Sequence, residues 1–432
     1  MVKVSIIMPS LNVASYIKEA IQSVRIQTLK EIEIICIDAG STDGTLENIQ
    51  RQATDDDRIV IINSPIKSYG YQVNMGIKSA HGEYIAILET DDYINDTMYE
   101  KLYNIAQKHD CDYVKSDYYS YWTQKDGTRN FISKRVCIND ERYGYLPNPL
   151  KYHEKEIFDW YIWNGIYKKQ FIIDNNISLS ETKGAAYQDI GFLFKTIIGA
   201  KRIGLLNEPL YNYCIDREDS SSNSGNALKF VWQEYSQLIK YQYNKYQKKL
   251  LYLRMCKSYV RAVMSTGLEH LRSEENVQWF DWFRFVFEEA EKNGDFDEEV
   301  LPEVIKRDYF GLLQTEDEFW NYVDKRKREF IKFIGQNMDC TIAIFGCGSY
   351  GYLAYRILNK NGYNVTAFFD NNKKLHGTKF DDVTIKNPDD ISTMIPETKY
   401  IVASENYSDD IKKQILNYSN VKASNVFTFI PL

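Results

Sequence analysis

The sequence predicts an α/β protein with a helical middle region and a small second α/β unit at its C-terminal end. Over the first 120 or so residues, short runs rich in Val and Ile alternate with stretches of helical periodicity. From about Ala227 to Phe333 the pattern is helical with few turn signals. Near Cys340 a strand, Gly-rich turn, helix and strand follow one another again. The boundaries read from these shifts are 1–220, 221–335 and 336–432.

The first strand is VSIIMP, stopped at Pro9. In VASYIKEAIQSVRIQ the residues Ile17, Ala20, Ile21 and Val24 line one helical face. EIEIICID, ending at Asp38, is a second strand, and AGSTDGT after it offers Ser, Thr and Asp as helix caps. A helix to about Ala53, the strand RIVIINS and a helix over YGYQVNMGIKSA come next. The strand Tyr84 to Leu88 then ends in GEYIAILETDDYI, where Glu89, Asp91 and Asp92 crowd together. Strands alternating with helices at this spacing form a parallel sheet, and ligands bind at the carboxyl ends of its strands. Residues 120–215 are less regular and aromatic-rich.

Three carboxylates within four positions at the end of a core strand are either a solvated acidic turn or a cation site, because desolvated like charges need a compensating partner. Bulk composition narrows the classes. At 432 residues, 44% hydrophobic and 26% charged, the chain is an ordinary folded protein of two or three domains. A net charge of −7 argues against a general nucleic-acid binder. Seven scattered cysteines without a CxxC pair point to reduced thiols in the cytoplasm rather than disulfides or zinc. The apolar N-terminal run is too short for a signal peptide, and no run approaches the roughly 20 residues of a membrane span. The expected location is cytoplasmic, at most on the inner face of a membrane.

Four ordered segments, VSIIMPSLNVASYIKEAIQSVRIQT, IEIICIDAGSTDGT, GYQVNMGIKSAHGEYIAILETDD and YQDIGF, together resemble the inverting family 2 glycosyltransferases with a GT-A fold, over roughly residues 1–215. The resemblance implies a nucleotide-sugar donor, expected to be a UDP-sugar, and a glycan or lipid-linked acceptor in surface polysaccharide assembly. It places Glu89 and Asp91 at the family's metal motif, with Mn²⁺ or Mg²⁺ as the hard cation that neutralises the leaving diphosphate. It assigns Pro9, Asn12, Asp38 and Asn74 to the nucleoside pocket, Asp43 more weakly, and Thr90 and Asp92 to the sugar-nucleotide. Ordinary turn and cap chemistry is the alternative for Pro9, Asn12 and Asp43. Asp189 matches the general base on the acceptor hydroxyl, although an Asp before a helix is also a common N-cap. Three positions depart from the pattern: Glu89 replaces an Asp, Ala39 stands where a second Asp is common, and Gln188 replaces the Glu that often precedes the base. WYIWNGIYKKQF, from Trp160 to Phe171, resembles a segment on the acceptor side, with sugar stacking and core packing both open.

Toward the C-terminus, GCGSYG brings Gly346, Gly348 and Gly351 between a strand and a helix, and Asp370 follows at the end of the next strand. FFDNNKKLHGTKF and IKNPDDI make this unit resemble the small Rossmann-like domains attached to polysaccharide-biosynthesis enzymes. These residues are a candidate second nucleotide site, and dimerisation is the structural alternative, making a homo-oligomer an expectation. In the helical middle, residues 235–268 carry no acidic residue but hold Lys240, Lys245, Lys248, Lys249, Arg254, Lys257 and Arg261. Such a stretch lies on an anionic membrane or packs on the acidic EEAEKNGDFDEEV that follows; the intramolecular reading is favoured. The function expected is a metal-dependent inverting glycosyltransferase. A catalytically weak nucleotide-sugar sensor or scaffold is the alternative, motivated by the three departures.

Overall fold

The structure, a computed structural model, describes residues 1–124, 127–137, 140–150, 161–217, 226–266, 274–296, 328–330, 332–335, 341–404 and 407–429, with 306, 321 and 325 singly. It divides into two compact units, Met1–Trp122 with Ser133–Val300, and Thr123–Ile132 with Leu301–Leu432.

In the first unit the opening βα pattern forms as the periodicity predicts. The strands are β1 (Val4–Ser10), β2 (Ile32–Asp38), β3 (Ile59–Asn63) and β4 (Tyr84–Ile87), joined by α1 (Ile17–Arg25), α2 (Thr45–Thr54) and α3 (Tyr69–Ser79). β1 and β2 are buried along their whole length, as strands covered on both faces must be. Each fully buried Ile or Val contributes about 1.5–3 kcal/mol relative to leaving it exposed. The path continues through β5 (Tyr93–Ile94), α4 (Met98–His109), β6 (Tyr113–Thr123), β7 (Arg129–Lys134), β8 (Gly144–Pro147), β9 (Gly165–Lys168), α5 (Lys169–Asp174), α6 (Ile190–Gly199) and β10 (Arg202–Cys214). Strands lie in the order β3-β2-β1-β4-β9-β6-β10-β5, parallel over β3-β2-β1-β4 and antiparallel where β9 pairs β4 and β6. The order reverses at β1, which has β2 on one side and β4 on the other. That switch point opens a crevice at the carboxyl ends of β1 and β4, where Ser10 and Glu89 emerge.

β10 carries a second device. Its register against β6 slips between Leu206 and Pro209 and again before Tyr211. Pro209 has no N–H to give the ladder, so the strand bulges there and re-aims the side chains that follow, Tyr211 and Tyr213.

The helices α7 (Ala227–Leu238), α8 (Lys245–Thr266) and α9 (Glu274–Lys292) confirm the helical pattern read from sequence. They fall within the first compact unit instead of forming a body of their own, because their apolar faces pack on one another and α7 lies on α6. Of the basic stretch, Lys248 Nζ pairs with Asp295 at 3.0 Å, while Tyr241 and Tyr246 are exposed. Residues 267 and 268 lie outside the described residues. No described helix is long and apolar enough to cross a membrane.

The second unit is a smaller α/β sheet. β11 (Ile342–Phe345), α10 (Ser349–Lys360), β12 (Val365–Phe369), β13 (Lys379–Phe380), β14 (Val383–Lys386), β15 (Lys399–Val402), α11 (Ser408–Leu416) and β16 (Val426–Thr428) follow in turn. The sheet order is β13-β14-β12-β11-β15-β16, parallel except for the β13–β14 hairpin. Its core gathers Ala343, Phe345, Ala367, Phe369, Tyr400 and Val402 between the helices.

One glycine shows how closely α3 sits on the first sheet. A Cβ at Gly76 would fall 2.4 Å from Ile7 Cγ2 and 2.9 Å from Ile37 Cδ1. Gly76→Ala should therefore destabilise the unit by about 1–3 kcal/mol through overpacking, read as a lower urea midpoint. An unchanged midpoint would contradict this packing of α3 on β1 and β2.

Candidate active site

The acidic turn after β4 is held by hydrogen bonds from both sides of the crevice. The Thr90 hydroxyl donates to the Pro9 carbonyl at 3.0 Å, tying the turn to the end of β1. The Tyr69 hydroxyl, on the first turn of α3, donates to Glu89 Oε1 at 2.5 Å. From β10, Tyr211 does two jobs: its oxygen accepts the Glu89 N–H at 3.2 Å, and its O–H donates to Asp92 Oδ2 at 2.6 Å. The Cys214 N–H donates to Asp92 Oδ1 at 2.8 Å. Asp91 faces outward and pairs with Arg217 at 2.8 Å, the two side chains 24% and 22% exposed.

This placement sets the electrostatics. Burial pushes the Glu89 carboxyl up to about 8; the Tyr69 bond and Arg217 oppose this, while the charges of Asp91 and Asp189 add to it. Burial and then the Asp91 charge likewise raise Asp92. Crowded, part-buried carboxylates are stabilised by a nearby cation. Glu89 and Asp91 present hard oxygen donors of the kind Mg²⁺ or Mn²⁺ takes. Among the described residues no three His, Cys, Asp or Glu side chains converge. Two carboxylates on one turn could hold a hard cation only together with further oxygen ligands.

On the β2 side of the crevice, Asp38 bends back on its own loop. Its Oδ2 accepts the Gly40 and Ser41 N–H groups at 2.9 Å each, and its Oδ1 accepts the Ser41 hydroxyl at 2.5 Å. Asn12 is exposed with a positive φ of 53°, and its Oδ1 accepts the Thr42 N–H at 2.9 Å. Asp43 caps the start of α2 through Thr45 and accepts the Ala14 N–H at 2.9 Å. These bonds bring the β1–α1 and β2–α2 loops together as one rim.

Asn74 is buried, and its amide is taken up by the Leu179 carbonyl and N–H at 3.0 Å each and by Glu181 at 2.9 Å. Asp92 has both carboxylate oxygens engaged by Tyr211 and Cys214. Both side chains are hydrogen-bonded into the walls of the site. Pro9 and Thr90 are buried in the same way, bonded to each other.

Asp189 stands at the N-cap of α6 but its side chain makes no capping bond. Burial raises its carboxyl above the ordinary range, with Arg254 and Lys115 pulling the other way. Gln188 beside it is a clamp: its Oε1 accepts the Gly70 N–H at 2.7 Å, and its Nε2 donates to the Thr182 carbonyl and hydroxyl. The segment 179–188 is thereby strapped across the start of α3, the helix that carries Tyr69. Gln188, next to Asp189, is bonded to Gly70, next to the Tyr69 that holds Glu89, which links the segment of the base candidate to the acidic turn. Lys115 of β6 is fully buried beneath it, donating to the Tyr167 hydroxyl at 2.5 Å and to the Tyr161 carbonyl.

The aromatic segment lies alongside. Trp163 stacks on Tyr211 with centroids 4.2 Å apart, on Tyr161 at 4.8 Å and on Tyr213 at 5.1 Å. Trp163 and Tyr211 are buried core, while Tyr161 and Tyr213 are partly exposed. Trp160 lies outside the described residues.

In the second unit, the glycine turn is dictated by space. A Cβ at Gly346, whose φ is 110°, would lie 2.4 Å from the Ala403 carbonyl, and one at Gly351 would lie 2.0 Å from the Gly346 carbonyl. Gly348 faces open space. Asp370 accepts the Cys347 and Asn372 N–H groups at 2.8 Å each. Its carboxylate braces this turn from the end of β12.

Tyr69, Tyr211, Arg217, Lys115 and Arg254 belong to the site yet were not singled out for it from sequence. Tyr69 and Tyr211 are two among 34 tyrosines, and Arg217 follows β10 with no motif around it.

Comparison with known proteins agrees with this geometry. Residues 5–168 match the family described as glycosyl transferase family 2, and residues 338–427 match one described as C2185-like, N-terminal. The uncharacterized glycosyltransferase EpsJ of Bacillus subtilis is 30% identical over 54% of this chain and 66% of its own length. Glycosyltransferase GlyG of Streptococcus pneumoniae is 28% identical over 49% of this chain and 70% of its own. The chain thus spans a little under two thirds of the first of these relatives. The crystal structure of S. aureus TarS 1-349 superposes with a TM-score of 0.53 at 16% identity, covering 72% of this chain and 90% of that one. At that identity the likeness shows the fold.

Tyr211→Phe should cost about 1–3 kcal/mol, since it leaves the buried Asp92 short of a donor. The expected result is a lower thermal midpoint. A wild-type midpoint would mean that Asp92 does not depend on this hydroxyl.

Proposed function

We propose, from the premise that residues 5–168 form a family 2 glycosyltransferase domain on the GT-A fold, that this protein transfers a sugar from a nucleotide-sugar donor to a glycan or glycoconjugate acceptor. The observation that carries the proposal is a part-exposed carboxylate pair, Glu89 and Asp91, at the carboxyl ends of β1 and β4, tied through Tyr69 and the Gly70–Gln188 bond to the segment that carries Asp189. A leaving diphosphate needs charge neutralised, and an attacking hydroxyl needs its proton taken. One crevice offers both.

In this reading Asp189 accepts the acceptor's hydroxyl proton on its carboxylate. Burial raises its proton affinity, the direction a general base needs. A divalent cation, Mn²⁺ or Mg²⁺, held by Glu89 and Asp91 would supply Lewis-acid stabilisation of the diphosphate. The loops joined by Asp38 and Asn12 frame the nucleoside. Arg217 now neutralises Asp91 and can turn to the donor phosphates. A UDP-sugar is the donor we favour, supported by TarS 1-349, which has been crystallised with UDP-GlcNAc and with UDP. Surface polysaccharide assembly is the setting proposed. The thiols of Cys36, Cys111, Cys214, Cys256 and Cys347 are buried and outside any disulfide, which supports a reducing, cytoplasmic setting. For residues 235–268 the Lys248–Asp295 pair supports intramolecular packing over membrane contact.

The sensor reading keeps one observation in its favour, the ion pair that already occupies Asp91. It predicts nucleotide-sugar binding by the wild type without turnover. The transferase reading predicts that Asp189→Asn lowers nucleotide release from the donor by about 10²–10⁴-fold while nucleotide binding is kept. Release at the wild-type rate in that variant would remove Asp189 as the base.

A further inference from the structure

The strap that leads to Asp189, residues 179–188, is docked on the start of α3, where a helix needs acceptors. The first N–H groups of any helix have no carbonyl one turn back to receive them. In α3 three of them are met from outside. The Tyr69 N–H donates to the Gly184 carbonyl at 2.9 Å, the Gly70 N–H to Gln188 Oε1 at 2.7 Å, and the Tyr71 N–H to the Ser68 hydroxyl at 3.3 Å. Two of those acceptors belong to the strap. The fit is close, since a Cβ at Gly70 would lie 1.9 Å from the Ser180 carbonyl. Gln188 is 1% exposed, and its other end donates to the Thr182 hydroxyl at 2.8 Å and to the Thr182 carbonyl. Just before it, Tyr187 holds a φ of 63°, a left-handed conformation that a bulky residue adopts only when its surroundings impose it. The chain makes a forced turn at Tyr187, is pinned at Gln188 and presents Asp189 next.

We infer that Gln188 is the positioning residue of the base, and that an amide is required there, because one end must accept from α3 while the other donates to the strap. The inference rests on the reading of Asp189 as the base. A carboxylate at this position would still accept the Gly70 N–H, and the helix N-terminus would favour its charge. Its second oxygen, however, would be buried against the Thr182 carbonyl with no proton between them, leaving both unsatisfied. Only the protonated acid donates as the amide does and restores both contacts. The departure at Gln188 from the Glu that often precedes the base is therefore what this strap demands.

The test compares Gln188→Glu with wild type across pH. The ionisable groups flanking these contacts are Tyr187 and Asp189 beside Gln188, Glu181 and Lys183 beside Thr182, and Tyr69 beside Gly70, with Glu89 bonded to it. They are common to both proteins, so the difference between the two reports position 188. The introduced carboxyl resists ionisation in the fold, which raises its folded pKa above the unfolded value. The thermal midpoint of the variant should therefore match wild type in acid and fall below it as pH rises through that folded value. Nucleotide release from a panel of UDP- and GDP-hexoses should show the base misaimed. The expected kcat at neutral pH is about 10²-fold lower with donor KM unchanged, and the ratio of variant to wild-type rate climbs toward one as pH falls. That ratio is readable at every pH where the variant is folded. A midpoint that tracks wild type at all pH values would show that no acceptor faces the Nε2 end, and would overturn the inference. A lowered midpoint with wild-type kcat would mark a merely structural clamp and would overturn it as well. A wild-type rate in Asp189→Asn would instead remove the base reading beneath it, and a wild-type protein that releases nucleotide from no donor would remove the transferase reading.

Discussion

Several carboxylates have to be held where water is scarce, and the hydroxyl of Tyr211 is the group on which that arrangement depends. It receives the Glu89 N–H and gives its proton to Asp92, so one oxygen orders the turn that carries Glu89 and Asp91. Without such donors, burying Asp92 beside two other carboxylates would cost several kcal/mol or force its protonation. Tyr211 owes its position to the irregularity of β10 around Pro209. A missing backbone N–H in one strand is thus linked to the geometry of an acidic turn that is distant in sequence.

The site divides into groups that are spent and groups that are available. Asp38, Asn74, Asp92, Thr90 and Gln188 use their side-chain polar atoms to join loops, and together they make the crevice rigid. Glu89, Asp91 and Asp189 stay partly exposed, and burial opposes the ionisation of Glu89 and Asp189. Preorganised surroundings of this kind let a site meet developing charge without rearranging. The strap at 179–188 and α3 are one mechanical piece, which is why Tyr69 can hold Glu89 while Gln188 holds the segment leading to Asp189.

Much of this was legible in the sequence because it is local. The alternation of Val- and Ile-rich runs with helical stripes predicts β1 to β4 and their helices, the crowding of Glu89, Asp91 and Asp92 after a core strand marks the acidic turn, and the family resemblance singles out Asp189. The rest is written in long-range pairs. Tyr211 meets Asp92 across 119 positions, and Gln188 meets Gly70 across 118. A residue whose role is set by a partner that far away leaves no periodic or spacing signal. Asn74 shows the converse. It stands at a position the family resemblance assigns to ligand, yet Leu179 and Glu181 take up its amide, and only the fold reveals them. The helices after residue 226 read as a separate region for the same reason, since periodicity reports a face and not what covers it.

The account turns on the acidic turn acting as a cation-assisted diphosphate site. Titration calorimetry of UDP into the wild-type protein, with and without Mn²⁺, tests this most directly. The account predicts binding that strengthens at least about tenfold when the metal is present, as expected if Glu89 and Asp91 share a cation with the diphosphate. UDP binding of equal strength in both conditions would contradict it.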